Sequence, residues 1–473
     1  LNGPLRRAVP RVSPERYASP ARERLESPCF RAARGVRYAS GMNHHTLLTK
    51  FVGAASLLTL FAGCGDVEPG SPTPGAFEQA RSSRARITSP AVSDADRASF
   101  ADGQRRFALD AYRVLAAGEG NLIYSPHSIQ SALSMTWAGA RGATESQMAA
   151  ALRFSLPQPR HHAAFNALDQ ELTARAARPV EGSGRRFRLR VANALFGQRG
   201  YSFLPPFLDA LAENYGAGMN LLDIAADPNA ARGRINAWVS DQTERRIPEL
   251  LREGSVTSST TLVLTNAVYF NASWAVPFEA AQTRPADWHP LTGAVRAVPM
   301  MNRSADLRYA EGDGWQAVEL PYTGGDVSML LMLPAEGRFA DFERTLTAER
   351  LDAVVAGLGS REVQLTVPTF SFRRHTSLKD LLRGMGMTDA FQGGVADLSG
   401  MDGSRTLFVQ DVVHEGFIGV NEQGTEAAAA TAVLVGVTSV PQPATFRADR
   451  PFVFAIRDRA SGALLFAGRV VAP

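Results

Sequence analysis

The sequence predicts an α+β protein with large sheets, carried by one domain over residues 94–473. Three observations lead there. Helical spacing of apolar residues dominates the early part of that span, whereas strand-like runs crowd its second half. No internal repeat and no second linker interrupts it. The chain of 473 residues is 45% hydrophobic and 20% charged, which suits a folded globular protein and not a disordered, collagen-like or polytopic membrane one.

Periodic structure begins near Asp96, where Phe100, Phe107, Ala111 and Val114 or Leu115 fall on one helical face. Asn121–Tyr124 reads as a brief strand, closed by Ser125 as N-cap and Pro126 at the first helical position. Ile129, Leu133 and Trp137 or Thr136 line the buried side of the helix that follows. Thr144-Glu-Ser-Gln147 has the form of a capping box before another short helix. Leu189–Phe196 and Leu262–Phe270 are apolar, β-rich runs suited to strands inside a sheet. Between them, Ala231–Leu251 carries Ile235, Trp238 and Ile247 at helical spacing. Strands then take over: Ala317–Tyr322, a turn at Gly324-Gly325, Val327–Leu333 and Val363–Phe372. Leu378–Met385 is a short helix, Leu407–Val420 a strand, and Phe452–Ile456 with Leu464–Val471 a hairpin turned at Ser461-Gly462.

The formal charge of +4 hints at an anionic partner, but its distribution removes the hint. Residues 1–41 hold nine Arg against three acids and Lys50 is the only other charge before Cys64, so the chain from Cys64 onward carries about −3. Nucleic acid is not implied. Cys29 and Cys64 both precede the folded span, which excludes there a disulfide framework, a thiolate metal site and a cysteine nucleophile. No HExxH, GxSxG, GxGxxG or P-loop pattern occurs, and His161–His162 read as surface side chains rather than metal ligands.

Met42–Lys50 followed by Phe51–Cys64 is a short positive segment, an apolar stretch and a small-residue end, the pattern of a secretory signal. Leu60-Phe61-Ala62-Gly63-Cys64 resembles a bacterial lipobox, which implies lipid attachment at Cys64 and a periplasmic or cell-surface location. Phe61 departs from the usual aliphatic residue, and a plain secretory signal cut nearby is the alternative. Residues 1–41 read as upstream translation, 42–63 as signal peptide, and 64–93, rich in Pro, Gly, Ser and Arg, as a flexible tether.

The segment that carries function lies between Val420 and Phe446. Asn421-Glu-Gln-Gly424-Thr-Glu-Ala-Ala-Ala-Ala-Thr-Ala432 has nearly all short side chains, and Val433–Pro443 is extended by β-branched residues and prolines. Propensity alone makes the first part an Ala-rich helix. The other reading is a strand in waiting: with period two, Thr425, Ala427, Ala429 and Thr431 face a core while Glu426 faces water. Small residues on that face let the segment join an existing sheet without overpacking it.

This stretch resembles the hinge of the serpin family, and Arg447-x-Asp-Arg-Pro451-Phe452-x-Phe resembles the strand after that family's reactive loop. Further similarities run through Asn121–Ile129, Thr265–Trp274, Val298–Met301 and Asp397–Gly400, in the family's order and spacing. The resemblance implies three β-sheets with eight or nine helices and an exposed reactive-centre loop. It implies a monomer with no cofactor and no metal, whose partner is a target serine protease, with a membrane touched only through the lipid anchor. The active state is then metastable: a five-stranded main sheet can accept a sixth strand, but the loop is held outside. A protease that cleaves the loop is held as an acyl-enzyme ester while the loop inserts. About ten new ladder hydrogen bonds at ~1 kcal/mol each, with apolar burial, give a driving force on the order of 10 kcal/mol.

Residue by residue, the resemblance assigns the hinge to Glu422, Gly424, Thr425, Glu426, Ala427, Ala428, Ala429, Ala430 and Thr431. It assigns a shutter, where the sheet must part, to Ser125, Ser128, Asn266 and His414, and a breach, where the loop first enters, to Trp274. Counting from Gly424 puts the scissile bond at Thr438–Ser439. Glu422–Pro451 runs two residues longer than usual, which keeps Val437 and Val440 as alternatives. No Arg, Lys or aromatic residue lies between Gly424 and Phe446, so small and β-branched residues point to elastase-like or subtilisin-like targets.

The sequons at Asn271 and Asn302 carry little weight, and Arg185, Arg186, Arg188 and Arg190 read as a solvated edge before a polyanion site. The competing function is a non-inhibitory binding or carrier serpin. Hinges of that kind hold charged, bulky or Pro residues, and Thr425–Ala432 holds only the outward Glu426, which favours inhibition.

Overall fold

The computed structural model describes residues 77–178, 188–425 and 442–473. In chain order the strands are β1 (Glu78–Ala80), β2 (Leu122–Tyr124), β3 (Arg188–Gln198), β4 (Met219–Leu222), β5 (Leu262–Ser273) and β6 (Arg284–Trp288). They continue as β7 (Arg296–Gly312), β8 (Trp315–Pro321), β9 (Val327–Pro334), β10 (Gly359–Pro368) and β11 (Phe370–Ser377). The last are β12 (Val412–Asn421), β13 (Gly424–Thr425), β14 (Ala444–Arg447), β15 (Phe452–Asp458) and β16 (Leu464–Val470). Ten α-helices accompany them among the described residues. Those that matter here are α1 (Asp94–Leu115), α2 (Pro126–Trp137), α3 (Gly142–Leu152), α4 (Gln158–Ala177), α5 (Pro205–Tyr215) and α6 (Pro228–Gln242).

One sheet has the order β1-β4-β3-β5-β13-β12-β11. A second network runs β14-β10-β7-β8-β9-β15-β16-β2, with β6 on β7. The 17-residue β7 joins what would be two sheets: Met300–Tyr309 pair with β10, whereas Arg308–Gly312 pair with β8. The three sheets expected are therefore two hydrogen-bonded networks, the second shared through one long strand.

Alternation decides where the core sits. On β9, Leu330 and Met332 join the helices α1–α3, while Val327, Met329, Leu331 and Leu333 pack toward the first sheet with Val268, Phe270 and Trp274. A strand buried on both faces reads as an unbroken apolar run, which is what Val327–Leu333 is. On the outer face, α6 supplies Ile235 and Val239 to a cluster that also holds Val263 and Ala267 of β5 and Val413 of β12.

Several sequence expectations change. The expected tether over 64–93 is structured from Phe77 onward: β1 pairs antiparallel with β4, and Phe77 stacks edge-on against Phe196 at 5.1 Å. Arg86 donates to Asn166 at 2.9 Å and pairs with Asp169 at 2.6 Å, which docks this part of the segment on α4. His161 and His162 are buried, bound to the Ser134 hydroxyl (2.8 Å) and the Tyr215 hydroxyl (2.7 Å), because the first turn of α4 faces α2 and α5. Thr144 is not a cap. Arg141 precedes the helix, and the Thr144 hydroxyl accepts from the Asp397 N–H instead. Helix α6 stops at Gln242, where Glu244 and Arg245 take positive φ, so Ile247 reaches the core from a loop. Leu407 and Val409 are buried ahead of the strand, which starts at Val412. The helix Gln158–Ala177 escaped the periodicity reading.

Candidate functional site

The site is the line along which β5 and β12 meet. Val412–Gly416 pair in parallel with Leu264–Val268, and there the direct ladder ends. At the far end β13 lies between the two strands, with Thr425 opposite Ala272 and Val420 and Gly424 opposite Ser273 and Asn421. The sheet is closed at one end, and at the other Gly424 and Thr425, the last described residues before 442, lie between its strands.

A tight hairpin feeds those residues in. The Asn421 side-chain oxygen accepts from the N–H groups of Gln423 (3.0 Å) and Gly424 (3.2 Å), turning the chain back on itself. Glycine is obligatory at 424, since a Cβ there would lie 2.1 Å from the Ala272 carbonyl oxygen and 2.7 Å from the Ser273 Cα. The Glu422 carboxylate accepts from the Thr283 hydroxyl at 2.8 Å, and its carbonyl accepts from the Phe278 N–H at 2.8 Å. Trp274 closes the turn: its backbone N–H donates to Gln423 (2.8 Å) and its indole N–H to the Asn421 carbonyl (3.0 Å). Its ring lies flat on Tyr322, 4.7 Å between centroids and 9° apart. The Tyr322 and Thr425 hydroxyls are hydrogen-bonded at 2.7 Å, both buried.

The other end of the line holds a polar row across the sheet. Asn193 on β3 stands opposite Asn266 on β5, which stands opposite His414 on β12. Asn266 donates to Ser128 Oγ (2.9 Å) and to Asn193 Oδ1 (2.8 Å), and its own Oδ1 is bonded to His414 Nδ1. His414 Nε2 accepts from the Ser125 N–H at 3.1 Å, which fixes Nδ1 as the protonated nitrogen of a neutral ring. Ser125 Oγ caps α2 by accepting from the Ser128 N–H at 3.1 Å. Burial, with a smaller contribution from His375, lowers the His414 imidazole to about 3. A satisfied network of this kind holds two strands together and can also be redrawn around a third.

The serpin (serine protease inhibitor) family pattern matches residues 102–473. The chain belongs to the serpin family. An uncharacterized serpin-like protein of Thermococcus kodakarensis is 39% identical over 370 residues, covering 78% of this chain and 84% of that one. Bovine leukocyte elastase inhibitor is 37% identical over 379 residues, covering 78% and 98%. The native-state crystal structure of the thermophilic serpin tengpin superposes with a TM-score of 0.71 at 26% identity, covering 81% of this chain and 95% of that one.

Within this serpin, Ser125, Ser128, Asn266 and His414 come together as expected, and Trp274 sits beside Glu422, Gly424 and Thr425. The rest of the hinge (Glu426, Ala427, Ala428, Ala429, Ala430, Thr431) lies outside the described residues, as do Thr438, Ser439, Val437, Val440 and Cys64. Sequence reasoning missed Asn193, Thr283 and Tyr322. Asn193 left one signal, an amide within the apolar stretch Val191–Phe196 of β3. Arg188 and Arg190 are exposed or half-exposed on β3 beside Glu244, at 3.3 and 4.0 Å. Arg185 and Arg186 lie outside the described residues.

Proposed function

We propose that this serpin is a single-use inhibitor of serine proteases that traps its target by inserting the reactive loop between β5 and β12. The observation that carries the reading is the seating of Gly424 and Thr425 between those strands while His414 and Asn266 still join them further along. Gly424 and Thr425 are in place at the start of the line, and further along it is closed by the ladder of Val412–Gly416 on Leu264–Val268 and by the His414–Asn266 bond.

The protease serine oxygen attacks a loop carbonyl, at Thr438 or a neighbour within two residues. The peptide C–N bond breaks, the amine of the following residue leaves with a proton from the protease, and an ester joins the two proteins. The freed loop then extends from Thr425 down the line as a central strand, alternating small residues onto the core face. The tethered protease is drawn along and distorted, so water does not complete the second half of its cycle. Small and β-branched residues around the bond, and 37% identity to bovine leukocyte elastase inhibitor, support an elastase-like or subtilisin-like target. We further propose export and lipid anchoring through Cys64, on the lipobox resemblance.

The test is to incubate residues 65–473 separately with an elastase-like protease, a subtilisin and trypsin, and to analyse each mixture on a denaturing gel. A band at the summed mass that survives boiling is expected with one of the first two, and the first residue of the released C-terminal peptide fixes the bond. Cleavage in the loop without any such band overturns the inhibitory reading in favour of a carrier serpin.

A further inference from the structure

The breach contains a hydroxyl pair that the loop's chemistry does not need. Thr425 is the first core-facing residue of the inserting segment and is 1% exposed. Its hydrogen-bond partner is the Tyr322 hydroxyl at 2.7 Å, and the Tyr322 ring packs against Trp274 and Phe270. Tyr322 does not belong to the sheet that is being entered. It follows β8 of the second network, is tied there by its backbone N–H to the Val327 carbonyl at 2.9 Å, and bridges to Trp274. Its ring is clamped flat against Trp274, which in turn holds the Asn421 and Gln423 carbonyls of the hairpin. The phenol is thus a fixed point on the immobile layer, aimed at one depth along the insertion line.

We propose that Tyr322 is a positioning residue that anchors the start of the inserting loop, by holding the Thr425 hydroxyl at the Ala272–Val420 level. The proposal deepens the inhibitory reading and rests on it for its consequence. A buried hydroxyl without a partner is costly, so the threonine is stable at this level and at no neighbouring one. The next core-facing positions, Ala427 and Ala429, have nothing to offer a phenol. Among the described residues, the hinge is seated at its first core-facing position. Seating it in advance means that insertion after cleavage extends an existing strand rather than starting one, which favours insertion over deacylation in their race.

The experiment compares wild type, Tyr322→Phe, Thr425→Val and Thr425→Ser. Hydrogen exchange of the peptide covering the hinge is read in the uncleaved protein, and stoichiometry and association rate are read with the protease that wild type traps. Tyr322→Phe and Thr425→Val are expected to speed exchange at the hinge roughly tenfold, with exchange on β15 unchanged. Both should raise the stoichiometry of inhibition about twofold or more while association stays within about twofold, because only the fate of the acyl-enzyme is altered. Thr425→Ser keeps the hydroxyl and should behave as wild type. Hinge exchange unchanged in both variants, or accelerated equally on β15, overturns the proposal. If wild type traps no protease, the inhibitory reading falls, and the exchange data still decide whether Tyr322 seats the hinge.

Discussion

His414 on β12 and Asn266 on β5 stand opposite each other in the ladder that joins these strands, with their side chains bonded across it. In the proposed mechanism they are the point a new central strand must separate. Asn266 also holds Ser128 and Asn193, so its amide serves three partners on three elements. Asn266→Ala leaves each of them short of a partner in a buried site, and the uncleaved protein should lose about 2–4 kcal/mol. Urea unfolding of the uncleaved protein measures it. A loss below about 0.5 kcal/mol would mean the row is ornamental.

Four buried histidines surround α2: His127, His161, His162 and His414. Burial lowers all four from 6.5, His162 to about 4 and His414 to about 3, and His162 adds repulsion at His161. Asp169 and Asp458 oppose the shift at His127, and Tyr215 faces His162. The sign follows directly. The unfolded chain takes up protons at these sites as pH falls below 6.5, while the folded chain resists at all four, at His162 until about 4 and at His414 until about 3. Stability is therefore full above pH 6.5 and is lost as pH drops toward 4, by roughly 3 kcal/mol for a group shifted like His162. Urea midpoints from pH 8 to 4 test this, and a flat profile would show that the rings hydrate on protonation.

Much of this was legible in the sequence because period-two runs and caps are local signals. Ser125-Pro126 marked the start of α2, and Val327–Leu333 marked a strand. Asn193, Tyr322 and the docking of Arg86 were not legible, because each acquires its role from a residue far along the chain: Asn266, Thr425 and Asp169. His161 and His162 misled for the same reason. Polarity predicts exposure only until a second helix supplies Ser134 and a third supplies Tyr215.

Arg86 fastens the segment before α1 to the body of the fold. Its guanidinium binds Asp169 and Asn166, and the Asn166 amide returns a bond to the Ile87 carbonyl at 2.8 Å. The ion pair is about a third exposed, so its share is discounted by solvent screening. Arg86→Ala should cost about 1 kcal/mol in urea unfolding and loosen residues 77–87 to limited proteolysis. A protease that finds this segment no more open than before would show that β1 alone holds it.

Replacing Thr425 by Arg places a charge where a hydroxyl is now buried between Ala272 and Val420. A guanidinium buried there without a counter-charge costs far more than one ladder pair returns. The variant should be cut in the loop at the wild-type rate yet form no complex stable to boiling. A full yield of complex would remove insertion through this position from the mechanism.

Cleavage of the loop should stabilise the protein even in the absence of a target. In the uncleaved chain the insertion line is paired at two separate levels: Leu264–Val268 against Val412–Gly416, and Ala272–Ser273 against Val420–Asn421 through β13. A strand that continues from Thr425 replaces both with one continuous pair of ladders. It must break the His414–Asn266 bond to do so, and it gains pairing on both sides at every residue it adds. A net gain on the order of 10 kcal/mol corresponds to a rise of roughly 15 °C or more in the thermal midpoint of a domain this size. The measurement uses a protease that cuts the loop without being trapped, followed by heating of cut and uncut protein side by side. The same midpoint before and after would mean that the loop stays outside after cleavage, so that Gly424 and Thr425 are the end of the insertion and not its beginning.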